Sequence, residues 1–166
     1  AKLIQILNTK YKKELKKRNI SMHKSTISIG IIKGGENINV VPYKTEILID
    51  RRITNTENIK TSFAHMKNFI KKHEPSAKIS FLTGTNSFSS NPNNSYLKSL
   101  KNSYKLIKGK NPIFLSSIGV SDGRYFADDS INIINVGPGD GDEGHRSNEK
   151  LLNSDIVEYY LILSNF

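Results

Sequence analysis

From Thr83 to Asn94 the chain consists mainly of Gly, Ser, Thr, Asn and Pro, and no apolar periodicity survives there. Such a stretch buries too little side chain to join a core, so it reads as a junction between domains. It divides the 166 residues into segments 1–85 and 86–166, each sufficient for one modest core. No apolar run approaches the roughly 18 residues that a membrane-spanning helix needs, and Ala1-Lys2-Leu3-Ile4 lacks the form of a secretory signal. The chain has no cysteine, which excludes disulfides, thiolate metal sites and cysteine nucleophiles. That fits a reducing compartment, and a cytoplasmic location is expected. Any metal must be held by His, Asp or Glu.

In the first segment, Leu3, Ile4, Leu7, Tyr11 and Leu15 mark an amphipathic helix over residues 2–18. The polar stretch from Asn19 to Ser25 ends it. Residues 26–31 then alternate with period two, and residues 44–50 are β-branched and partly alternating, with Gly34-Gly35 and Pro42 between them. Ile59, Phe63, Met66, Phe69 and Ile70 predict a second helix over 56–72, with Pro75 beyond it, and residues 78–83 a third strand. The order helix, strand, strand, helix, strand suits an α+β, two-layer sandwich with helices on one face of an antiparallel sheet. Its open strand edge invites a twofold, strand-to-strand homodimer. In the second segment, Tyr96, Leu97, Leu100, Tyr104 and Ile107 mark a helix ending near Gly109. Residues 131–136 read as a strand, and a last helix starts at Asn153 or Ser154, either of which can cap it.

The formal charge of +10 raises the question of a polyanion partner. The densest basic run, Lys10 to Arg18, lies opposite the apolar stripe of its helix, where lysines serve as a solvated surface. No Gly-rich or aromatic-interleaved basic stretch accompanies it, so neither a nucleic-acid nor a membrane partner is expected. A basic module binding an acidic partner would show strongly salt-dependent affinity.

Three segments carry residues suited to chemistry. Gly34-Gly35, Asn39 and Pro42, followed after a strand by Asp50-Arg51-Arg52, combine flexible backbone, an amide and a guanidinium that can grip a carboxylate by two points; a plain hairpin with a charged strand end is the simpler account of them, since Gly-Gly and Asn are ordinary turn residues. Ser121, Asp122 and Arg124 gather a hydroxyl, a carboxylate and a guanidinium where a loop enters a helix, which is also how an ordinary helix start is written. Gly137-Pro138-Gly139-Asp140-Gly141-Asp142-Glu143-Gly144-His145 follows the predicted strand as a glycine-rich loop with a single imidazole. The acidic residues there lack the spacing of a calcium loop.

In this order and at these separations, the three segments resemble the di-zinc amidohydrolase family of acetylornithine deacetylase, succinyl-diaminopimelate desuccinylase, aminoacylase and glutamate carboxypeptidase. Gly34-Gly35, Asn39-Val40-Val41-Pro42 and Asp50-x-Arg52 resemble the central strands of its lid, or dimerisation, domain. Ser121-Asp122-Gly123-Arg124-Tyr125-Phe126 resembles a catalytic-domain motif of the desuccinylase branch, and Gly137-Pro138-Gly139, His145 and Asn148-Glu149 resemble the loop bearing the last zinc ligand. The resemblance implies a lid over 1–85 and the C-terminal part of an α/β zinc-hydrolase catalytic domain over 86–166. It implies hydrolysis of the amide of an N-acyl amino acid or dipeptide-like substrate, two zinc ions, and a homodimer formed through the lid. His145 would be a zinc ligand. Asn39 and Arg52 would bind a substrate carboxylate, and Ser121, Asp122, Arg124, Gly137 and Gly139 would shape the pocket.

The family's His-x-Asp ligand segment, bridging aspartate, Glu-Glu pair with the general base, further acidic ligand and lid histidine have no counterpart in this sequence. His23, His65 and His73 sit in no matching motif and read as surface or structural. One imidazole cannot hold a catalytic zinc, which needs at least three protein ligands. The chain alone is therefore expected to be inactive, either as a piece of a larger enzyme or as a non-catalytic dimerisation or ligand-binding module. Its beginning within a helix favours the former.

Overall fold

A computed structural model describes residues 2–18, 24–91, 93–117, 119–126, 131–144 and 146–166. The chain forms two compact units, Ala1–Phe88 and Ser89–Phe166.

The first unit opens with one composite helix, α1, which is α-helical over Lys2–Ile6, π-helical over Leu7–Tyr11 and α-helical again over Lys12–Arg18. Its sequence explains the π turn. Leu3, Leu7, Tyr11 and Leu15 are spaced by four, and on a regular helix each such step advances about 40°, carrying Leu15 roughly 120° away from Leu3. The wider turn, in which the Lys12 N–H reaches the Leu7 carbonyl, takes up that drift. Leu7, Tyr11 and Leu15 are all fully buried as a result.

Strands β1 (Thr26–Gly34) and β2 (Thr45–Arg52) form an antiparallel pair, running from Thr26 opposite Arg52 to Gly34 opposite Thr45. A bulge at Gly30 shifts the register between Ile29 and Ile31. The extra residue resets the alternation: Ile27, Ile29 and Ile32 share the face of Ile47, Ile49 and Arg51, while Ile31 pairs with Leu48 on the opposite face. Helix α2 (Ile59–His73) starts at Asn58, whose side chain accepts from Lys60 N at 2.9 Å. α1 and α2 cover one face of the sheet, and Leu7, Tyr11, Leu15, Ile27, Met66 and Ile70 form the core between the layers. This is the lid-like two-layer α/β sandwich that the periodicity predicts.

The third strand predicted over 78–83 does not form; among the described residues the sheet has two strands. Ile79 still packs on the core, and Phe81 meets Phe63 edge-on at 5.4 Å. Ile79 is only partly buried there, Phe81 and Leu82 stay exposed, and the backbone has no ladder.

The second unit is built on α3 (Ser95–Lys108) and α4 (Asn153–Ser164). Asn94 caps α3, accepting from Tyr96 N at 2.7 Å, and Gly109 closes it with φ of +67°, the left-handed conformation that glycine adopts freely. α4 begins differently from expectation: Leu152 occupies its cap position, and neither Asn153 nor Ser154 supplies a side-chain cap. The strand predicted over 131–136 is also absent. There the Ile133 N–H donates to Ser90 Oγ at 2.7 Å, the Ser90 hydroxyl donates to the Ile133 carbonyl, and Asn132 accepts from Asn91 N at 3.1 Å. Side chains meet the backbone groups that a ladder would have paired. Leu97, Leu100 and Ile162 are the buried apolar residues among those described in this unit. No helix among the described residues is long and apolar enough to cross a membrane.

Candidate functional site

The connection between β1 and β2 carries the first set of candidate residues. Gly35 has φ of +86°, and a Cβ on it would touch Pro42 Cγ at 3.3 Å, so glycine suits the turn there. Gly34, Gly35, Val40, Pro42 and Tyr43 are among the residues lining an open groove of about 220 Å³, and Asn39 stands exposed on the same loop. Arg52 lies at the other end of the hairpin, opposite Thr26, with its Nε 3.0 Å from Asp50 Oδ2. Eight residues of β2 separate the loop from that end, about 23 Å of extended chain. One protomer therefore does not bring Asn39 and Arg52 together on a small carboxylate.

Its neighbour Arg51 points the other way, as strand alternation requires, and is almost wholly buried, with 7% of its side chain exposed. Its Nη2 donates to Glu57 Oε1 at 2.6 Å, while the other oxygen of Glu57 accepts from Thr54 N at 3.1 Å and from the Ser25 hydroxyl. Burial alone would raise the Glu57 pKa, but the bonds from Ser25, Thr54 and Arg51 together outweigh it and hold the carboxyl below its ordinary value of 4.5. The network's stabilisation is thus fully present above pH 4.5 and lost as pH falls through the lowered folded-state value. Glu57→Gln is expected to cost about 1–2 kcal/mol at pH 7 and much less at pH 3. Urea unfolding at the two pH values checks this; an equal loss at both would mean the charge of Glu57 is not what matters.

Across the helices, His65 Nε2 donates to Glu14 Oε1 at 2.7 Å, and its Nδ1 meets the Tyr11 hydroxyl at 3.3 Å. His73 Nδ1 donates to the Phe69 carbonyl at 2.9 Å. His65 thus joins the two helices, His73 bonds within its own helix, and His23 lies outside the described residues. The sequence pattern did not single out Arg51 or Glu57. Continuing the inward parity of Ile47 and Ile49 by two residues was the available signal.

In the second unit, Ser121, Asp122 and Arg124 stand at a single 3-10 turn, Asp122–Phe126, rather than at the start of a described α-helix. Arg124 folds back on Tyr125, donating to its hydroxyl at 2.8 Å with the guanidinium 4.7 Å from the ring centre. The Ser121 hydroxyl is buried without a hydrogen-bond partner among the described residues. Gly139 has φ of +82°, and a Cβ there would come within 2.6 Å of Leu151 Cδ1, so any other residue would strain the backbone and displace Leu151; nothing stands within 4 Å of a Cβ at Gly137. Pro138, Gly139, Asp140, Glu143 and Glu149 border an open pocket of about 200 Å³. His145 lies outside the described residues. Among those described, no three His, Asp or Glu side chains gather to hold a metal ion, so they do not by themselves make a zinc site.

A small antiparallel sheet, two-stranded among the described residues, with both helices on one face defines the class of the first unit: a lid-like two-layer sandwich. Residues 1–78 match the family model of the peptidase dimerisation domain, M20_dimer. That likeness covers 78 of the 166 residues; it fits a dimerisation domain of the M20 metallopeptidase type and points to no particular member. No solved structure gives a significant match to the chain.

Proposed function

We propose that the chain supplies the lid and the C-terminal part of the catalytic domain of a zinc-dependent amidohydrolase, acting on an N-acyl amino acid or dipeptide-like substrate of the deacetylase, desuccinylase or carboxypeptidase type. The match of residues 1–78 to the dimerisation domain carries this reading. Two copies pair through the open edges of their β1–β2 sheets, which satisfies backbone groups otherwise left to water. Arg52 takes a substrate carboxylate by its guanidinium fork and Asn39 contributes its amide. Because the two stand at opposite ends of one hairpin, they serve different sites of the dimer. Ser121, Asp122, Arg124, Gly137 and Gly139 shape the pocket, and His145 is a zinc ligand.

The second unit supports its assignment to a larger domain. α4 is apolar on every side, yet among Ile156, Val157, Tyr160, Leu161, Ile162 and Leu163 only Ile162 is buried. A helix of that composition belongs inside a core. Because a single imidazole ligand, His145, cannot hold a catalytic zinc, the chain by itself is read as inactive.

Zinc calorimetry and amidase assays on this chain, beside a form that also carries His-x-Asp and Glu-Glu segments, test the proposal. The longer form is expected to bind two zinc ions and hydrolyse N-acyl amino acids, and this chain to do neither. Failure of the longer form on both counts overturns the catalytic reading.

A further inference from the structure

The formal charge of the chain sits on one layer of one unit. α1 and α2 together hold eleven Lys and Arg against a single acidic residue, Glu14, whereas the rest of the chain holds 14 basic against 14 acidic residues. The whole excess of +10 therefore belongs to two helices, and Glu14 is bonded to His65. Those helices touch: the Tyr11 and Phe69 rings lie 4.8 Å apart. Lys12, Lys13, Lys16 and Lys17 of α1 and Lys67 and Lys72 of α2 are all exposed, and among the described residues none is paired with a carboxylate. Periodicity assigns each helix a solvated basic side. The fold adds that the two helices form one layer and that the remainder of the chain is neutral.

We propose that the outer face of this layer binds a phosphodiester polyanion, RNA or DNA, through its backbone and without reading bases. Neither helix exposes a large apolar or aromatic side chain. That leaves nothing to insert into a lipid surface and nothing on which bases could stack. Lysine ammonium groups are compact, strongly hydrated point charges, suited to individual phosphates rather than to planar two-point recognition. α1 is about 25 Å long, a length over which duplex DNA presents about 15 phosphates. Each phosphate neutralised releases counterions, and that release drives the binding.

Fluorescence anisotropy of the full chain with a labelled short DNA duplex and a labelled RNA strand, between about 50 and 200 mM NaCl, tests this. The duplex is expected to bind with a slope of log K against log salt of about −3.6 or steeper, since at least four phosphates contribute about 0.9 each. The combined variant Lys12→Glu, Lys16→Glu, Lys67→Glu, Lys72→Glu is expected to lose roughly 100-fold or more in affinity at the lower salt. The control Lys33→Glu, Lys44→Glu at the hairpin, which changes the net charge elsewhere, should lose only a few-fold, and circular dichroism confirms that both variants fold. Absence of binding at low salt overturns the proposal, as does an equal loss in the control. Equally tight binding of polyglutamate, or of phosphatidylserine vesicles, also overturns it and reassigns the face to an acidic polypeptide or a lipid surface.

Discussion

Tyr11→Ala is expected to destabilise the first unit by about 3–5 kcal/mol, enough to remove most of the stability of a small domain. Tyr11 is completely buried at the centre of the core, with its ring 4.8 Å from Phe69 and 5.6 Å from His65. Removing it opens a cavity between the two helices and leaves His65 without its neighbour at Nδ1. Tyr11→Phe separates the two contributions, because it keeps the ring and deletes only the hydroxyl that meets His65. Its cost is expected to be about 1 kcal/mol. Guanidinium unfolding followed by near-ultraviolet circular dichroism measures both. A loss below about 1 kcal/mol for the alanine variant would mean that the helices close over the gap, and that the π turn is not needed to bring Tyr11 inward.

That π turn shows both the reach and the limit of periodicity. The spacing of Leu3, Leu7, Tyr11 and Leu15 identifies an amphipathic helix and its buried face. It also contains the signal for the π turn, because a strict repeat of four does not fit 3.6 residues per turn. The β1–β2 pair, α2, and the end of α3 at Gly109 were legible for similar reasons: alternation, an apolar stripe, and a glycine where the chain must turn left-handed. The bulge at Gly30 was not. Alternation from Ile27 through Ile29 places Ile31 on their face, and only the pairing with β2 shows that the extra residue moves Ile31 to the opposite face and puts Ile32, still exposed, in its place. Residues 78–83 and 131–136 have strand-like composition but no ladder partner, and strand formation is a property of the pair rather than of the segment. Of the candidate site residues, Asn39 and Arg52 could be named from their motif. Their separation along one hairpin follows from register alone, and so does the burial of Arg51 beside them.

Backbone amides of α1, α2, β1 and β2 are expected to exchange with solvent at least about 100-fold more slowly than those of α3 and α4, a difference of about 2.7 kcal/mol in opening free energy. The first unit closes a core from both helices and the sheet, with three side chains wholly out of water. The second relies on Leu97, Leu100 and Ile162, together with a few bonds such as that from Ser103 Oγ to the Asn165 carbonyl at 2.6 Å. Along α4, Tyr160 is 67% exposed and Val157 57%, so the apolar contact that normally stabilises a helix is missing there. Native-state hydrogen exchange read by mass spectrometry resolves the two units in one experiment, repeated at two protein concentrations. Equal protection that rises with concentration would mean that α4 is covered by self-association. Equal protection independent of concentration would mean that the second unit is a complete domain, and it would remove the main physical support for placing it inside a larger catalytic domain.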